Sequence, residues 1–454
     1  MVSMNRRLLG AVAALAIAAS ACGGSTATTA PSAAAPSAAP SVSAAASAAP
    51  SAAPSSAAPA SQAAAVTIKW WHITTGEPGK SDFQAIADAY TAAHPNVKFE
   101  ITVLENEAFK TKLSTVDATS VPDLFQSWGG GTLAAQADAG LLQDVTAAVA
   151  PWKDTINPGA LSIYQYKGVQ YGVPWDMGMI GFWYNKDLFA KAGITAPPAT
   201  WDDYLAAITK LKTAGITPLA IAGKDKWPSM HLWTYLVLRT GGGQALSQMI
   251  QSGNWNADAC TKAGAAVQAL NALNPYQAGF KSATYNDEAA AVGNGKAAME
   301  LMGQWAPSVQ KDQSANKQGL GDKLGWFAFP SIAGGAGAPT DGVGGGNGIA
   351  VGKNAPPEAL DFLNFFNNVE NQTKLNKDNV GLSTTVGTES AIADPNLQAV
   401  LAGRGKAQFM QLYLDQATSP AMGSAINDAT IALFLGGSTP QQVCQAITTA
   451  AASQ

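Results

Sequence analysis

Two tryptophans pose the chemical question in this chain. Trp305, in "GKAAMELMGQW", stands two residues past an apolar run that stops at Gly303. Trp128, in "DLFQSWGGG", closes another such run just before three glycines. A large ring beyond the carboxyl end of a strand stands where open α/β sheets keep their ligands, and its face offers stacking rather than proton transfer. The glycines Gly129 to Gly131 are expected either to let backbone approach a ligand closely or simply to end the strand. Polar side chains follow the neighbouring strands: His72, Thr75 and Glu77 in "HITTGEPG", and Glu105, Asn106 and Glu107 in "LENE". Glu77 and Asn106 are the expected ligand contacts, whereas Glu107 suits the amino terminus of its own helix. "GKDKWPSMHLW" adds Lys226, Trp227 and His231, with one of Trp227 and Trp233 expected in the core. Asn347 in "GGGNG" and Tyr413 and Asp415 in "LYLDQ" complete the set. The glycine run has no G-K-[ST] and no G-x-G-x-x-G strand-turn-helix around it, so it is neither a Walker loop nor a dinucleotide loop.

Composition narrows the field. The chain has 454 residues, a net charge of −4 and 47% hydrophobic residues, which suits a two-domain globular body. Basic runs interleaved with aromatics are absent, so a nucleic-acid partner is not expected. Twelve Trp against three His favour stacking over imidazole or metal chemistry, and no cofactor is implied. At the amino end, "MVSMNRRLLGAVAALAIAASACGG" joins a basic start to an apolar stretch too short to span a bilayer and then to small residues. It resembles a lipoprotein signal over 1–21 whose lipobox ends at Cys22, the expected site of lipidation. From Gly23 to Ala65 the chain is nearly all Ala, Ser, Pro, Thr and Gly, the composition of a disordered tether. Cys260 and Cys444 remain. After export they could form a disulfide or persist as two buried thiols.

The elements that would carry these residues alternate. "VTIKWWHI" reads as a strand, Phe83, Ile86, Ala87 and Tyr90 share one face of a helix, and Val97, Phe99, Ile101 and Val103 alternate as a second strand. The spacing predicts a parallel β-α-β unit. A helix over 107–118, the strand "DLFQSW" and a helix through Ala139 repeat the rhythm. It restarts after "YGVPWDMGMIGFWYNKDLF" with a strand to Tyr184 and a helix from Lys186. Thr200 and Asp203 then form the capping box of a helix closed by Gly215. Two such rhythms predict two lobes with a cleft between them.

Four segments, "VPDLFQSWGGGTLAAQADAGLLQDV", "YGVPWDMGMIGFWYNKDLFAKAGITAPPATWDDY", "GKAAMELMGQWA" and "NGIAVGKNAPPEALDFLNFF", resemble in order the signatures of extracellular solute-binding protein family 1, the carbohydrate receptors of ABC importers. The resemblance runs from about residue 66 to 450. It implies an α/β, two-lobed periplasmic-binding-protein-like fold of type II with three hinge crossings and a ligand cleft between lobes. The crossings are expected near 173–181, 327–331 and 376–383, giving one lobe of 66–175 plus 328–378 and another of 176–327 plus 379–454. The resemblance also implies stacking roles for Trp305 and Trp128 and puts Asp176 in the first crossing. Beyond Trp128 the chain departs from maltose-type receptors, offering Gly131 and Thr132 where they carry charge. Within the family, "WWHITTGEPGKS", "VLENEAFKTKL", "WGGG" and "FMQLYLDQ" resemble actinobacterial receptors for xylobiose and related xylo-oligosaccharides.

The implied partners are an oligosaccharide and the membrane permease subunits of an importer, met by a monomer anchored on the outer face of the cell membrane. A secreted glycosidase is the rival, because Asp176, Glu77 and Asp415 could be read as an acid and a nucleophile, although no catalytic motif surrounds them. A metal, polyamine or peptide ligand on the same fold is a third reading. A ferric site would want clustered Tyr, His and carboxylates, which three scattered His do not offer.

Overall fold

A computed structural model describes residues 64–453, so Cys22 and nearly all of the Ala/Ser/Pro run lie outside the described residues. The expected β-α-β start is present. Val66–His72 pairs in parallel with Val97–Val103 from Val66↔Val97 to His72↔Val103, and helix Gly79–Ala93 connects them. That helix buries Phe83, Ile86, Ala87 and Tyr90, the apolar face its spacing predicts. The five-stranded first sheet runs in the order Val97–Val103, Val66–His72, Leu124–Ser127, Gly348–Val351, Gly172–Pro174, and Gly348–Val351 is antiparallel to both its neighbours. Trp70, Phe83, Phe362 and Phe366 pack edge to face and stacked behind it.

A second, four-stranded sheet orders Leu324–Phe327, Gly181–Asn185, Ala297–Met302 and Thr217–Leu219. Its core continues into the long helix Trp227–Ser252, which contributes Trp233 with no exposure. Cys260 on helix Asp258–Ala272 is bonded to Cys444 on helix Pro440–Ala452 across a sequence separation of 184, so of the two open readings the structure contains the disulfide. At Thr200 only half of the capping box forms: its hydroxyl oxygen accepts from the Asp203 amide at 3.2 Å.

Between the two sheets lies a small third one, Met410–Leu412, Gly342–Gly345 and Gly178–Met179. It corrects the expected middle crossing. The segment after Phe327 does not enter the first sheet at 327–331. It stays with the second body until Gly345, and the chain reaches the first sheet only at Gly348, after Asn347. The physical reason is Arg239, which is buried and donates to the carbonyls of Phe329, Pro330, Ala338, Pro339 and Asp341, holding 329–341 against its own helix.

Candidate functional site

The carboxyl ends of the first sheet's strands and the walls of the second body line a cleft that is open to solvent. Thr75, Glu105, Asn106, Trp128, Trp227, His231, Trp305, Asn347, Tyr413 and Asp415 all line it. Trp128 follows strand Leu124–Ser127, and Trp305 follows strand Ala297–Met302 and precedes helix Ala306–Gln313. Both rings are half-buried. Trp305 stands edge-on to Tyr413 at 5.8 Å and 87°, and Tyr413 meets His231 at 5.3 Å, which in turn meets Trp227 at 5.4 Å. The aromatic wall is therefore continuous.

Four predicted residues stand elsewhere. Glu77 is exposed, and its carboxylate accepts from the Ser81 amide at 3.1 Å, serving the first turn of its helix. His72 is buried between Trp70 and Phe83, accepts from the Thr74 amide at 3.2 Å, and is held neutral by burial, its pKa lowered to about 4. Lys226 precedes helix Trp227–Ser252 with φ 67°, and its ammonium pairs with Asp428.

Asp176 is fully buried below the cleft. It accepts from Gln304 Nε2 at 2.6 Å, Asn347 Nδ2 at 2.9 Å and the Leu382 amide at 2.7 Å. One carboxylate thus holds the first chain passage to a residue of the second, Asn347, and one of the third, Leu382, together with the neighbour of Trp305. Burial raises its pKa to about 6 against the lowering effect of these donors. Asn347 Oδ1 accepts in turn from Gln126 Nε2 at 2.8 Å, which extends the network to the strand that carries Trp128.

The three glycines after Trp128 also act differently from expectation. None lines the cleft. A Cβ on Gly129 would lie 2.5 Å from Ile163, one on Gly130 2.5 Å from Leu412, and one on Gly131 2.5 Å from Thr418, so they admit neighbouring protein rather than a ligand.

Several cleft residues escaped the sequence reading: Trp175, Lys110, Tyr285, Asn286, Ser308, Val309 and Gln416. Helical spacing could have found two groups of them. Lys110 lies one turn after Asn106, and Ser308 and Val309 lie one turn after Trp305. The walls also hold buried polar atoms with no protein partner, namely Trp227 Nε1, His231 Nδ1, Tyr413 Oη and Gln416 Oε1. Such groups are ordinarily satisfied, so four unpartnered ones among the residues of one wall set this region apart from an ordinary core. Burial lowers the His231 pKa to about 4, so it presents a neutral imidazole near pH 7. Among the described residues no group of three or more His, Cys, Asp or Glu could hold a metal ion, and no helix is long and apolar enough to cross a membrane.

The chain is similar to an ABC transporter extracellular-binding protein of Pyrococcus horikoshii, 28% identical over 329 residues, covering 69% of this chain and 70% of that protein. It is similar to a xylose/arabinose-binding protein of Haloferax volcanii at 26% identity over 285 residues, covering 58% of each. Among solved structures, a chain from work on xylan utilization by Caldanaerobius polysaccharolyticus superposes with a TM-score of 0.79 at 27% identity, covering 85% of this chain and 99% of that one. A chitin oligosaccharide binding protein shares the fold with a TM-score of 0.76 at 23% identity, covering 86% and 98%. The two-lobed α/β architecture is common to these receptors. With residues 75–373 matching the family model, the chain belongs to the bacterial extracellular solute-binding proteins.

Proposed function

We propose that this chain captures a short uncharged oligosaccharide, xylobiose or a related xylo-oligosaccharide, and delivers it to the permease of an ABC importer. The cleft wall carries the reading. A pyranose has C–H faces that lie against rings such as Trp128 and Trp305, and a rim of hydroxyls that can meet polar side chains lining the cleft such as Asn106, Asn286, Ser308 and Asp415. The likeness to a xylose/arabinose-binding protein and to a chain from work on xylan utilization supports a pentose ligand. Of the three carboxylates that the glycosidase reading named, Asp176 and Glu77 stand outside the cleft and only Asp415 lines it.

In this reading residues 66–175 with 348–378 form one lobe and the rest of the body the other, and the sugar draws them together because it touches both. Cys22 carries the lipid that keeps the receptor at the outer face of the cell membrane. A melting and calorimetry screen against xylose, xylobiose, xylotriose, cellobiose and maltose tests the ligand. Xylobiose or xylotriose is expected to raise the melting temperature most and to make the body more compact in solution scattering, with no xylose released on long incubation. Failure of every sugar to shift the melting curve would overturn the proposal.

A further inference from the structure

Lys110 lies on helix Asn106–Leu113, on the first sheet's side of the cleft. Its ammonium is 5.5 Å from the ring centre of Trp128, which the first sheet supplies, and 6.0 Å from that of Trp227, which the second body supplies. Among the described residues it is the one cation placed over rings from both walls. The side chain is aimed by its own helix: Nζ meets Glu107 Oε1 at 3.2 Å, and the same oxygen accepts from Asn106 Nδ2 at 2.9 Å. An ammonium has three N–H donors, and Glu107 takes one. The indole faces attract the charge but accept no conventional hydrogen bond, so two donors stay available inside the cleft.

We infer that Lys110 is a specificity-determining residue of the cleft, donating from between Trp128 and Trp227 to neighbouring hydroxyls at the edge of a sugar ring stacked on one of them. This rests on the proposed function and names a contact within it. A ring lying on either indole would sit beside an ammonium 5.5 Å from one ring centre and 6.0 Å from the other, within reach of its hydroxyl rim. Adjacent hydroxyls with oxygens about 3 Å apart can share its two remaining N–H groups. The bond is charge-assisted and partly shielded from water, so it should count for more than a neutral contact at the same place. It also spans the cleft. A sugar that satisfies Lys110 adds to the pull between the walls, whereas an apolar solute of the same size would leave the two donors unmet.

The experiment uses xylobiose as probe with the mature chain and three variants, Lys110→Met, Lys110→Arg and Trp128→Ala. Methionine keeps the length and apolar stem and removes the donors. Lys110→Met is expected to weaken xylobiose binding by about tenfold to a hundredfold while the melting temperature of the free protein stays near that of the wild type. Lys110→Arg, which keeps charge and donors, should recover part of the loss. Unchanged or tighter binding by Lys110→Met would overturn the inference, because the ammonium would then only cover the rings of the empty cleft. If Trp128→Ala loses binding and Lys110→Met does not, the inference fails and the sugar site stands. If wild type binds no sugar at all, the underlying reading fails.

Discussion

Replacing Gly303 by alanine would probe the cleft without altering any side chain that lines it. A Cβ at 303 would lie 2.0, 2.4 and 2.5 Å from Cζ3, Cη2 and Cε3 of the Trp305 ring. Carbon atoms settle at about 3.5 Å, so the ring must withdraw by roughly 1.5 Å. Gly303 does not use the left-handed region, so alanine suits its backbone. Trp305 is half-buried and has the open cleft on one side, which gives the ring somewhere to go. The stability cost should therefore sit near the bottom of the ~1–3 kcal/mol usual for overpacking. Binding has no such relief. A ring displaced by that much loses its stacking geometry, worth about 0.5–1.5 kcal/mol beyond the area it covers, so affinity for xylobiose should fall by about twofold to tenfold. Calorimetry gives the affinity and differential scanning the melting temperature of Gly303→Ala beside wild type. Wild-type affinity together with a melting loss worth several kcal/mol would refute the argument, since Trp305 would then be a core post.

Three other outcomes are expected. Replacing Cys260 and Cys444 together by serine opens a loop with a sequence separation of 184 and should cost about 2–5 kcal/mol in a denaturant titration. Glu288 and Glu300 are both buried in the second body; burial and their mutual repulsion hold the Glu288 carboxyl well up, and burial takes that of Glu300 to about 7. The folded state keeps the Glu300 proton after the unfolded chain has released it near 4.5, so that stabilisation is full below that pH and is lost as pH rises through about 7. Glu300→Gln should flatten that slope when unfolding midpoints are compared between pH 5 and 8, and an unchanged slope would count against the pair. Finally, Cys22→Ser should carry no labelled fatty acid after growth in the exporting host, and a labelled product would remove the lipobox assignment.

The opening strands were readable from their own pattern: Val97, Phe99, Ile101 and Val103 alternate, and the pairing of Val66–His72 with Val97–Val103 follows. The two stacking candidates were readable because each stands next to a strand end. What stayed hidden depends on contacts distant in sequence. Nothing near Glu77 or His72 says which loop residues turn outward to serve a helix and which turn inward to the core. The late middle crossing is set by Arg239, whose partners are carbonyls 90 to 102 residues away and carry no side-chain signature. Asp176 could be placed in a crossing by family resemblance, but its role depends on Asn347 and Leu382, 171 and 206 residues further along.

That shared carboxylate bears on how the body comes apart when heated. Two lobes with separate cores would ordinarily be free to melt one after the other. Here unfolding of either disturbs the other, because the passages between them meet at Asp176. Withdrawing the first lobe takes the Gln126 amide from Asn347, the residue that donates to Asp176, and loosening the second takes Gln304 from the buried Asp176 carboxylate itself. The loss falls on both sides of the knot at once. Calorimetry of the ligand-free body should accordingly record a single heat-absorption peak, and Asp176→Ala should split or broaden it as each lobe recovers a melting point of its own.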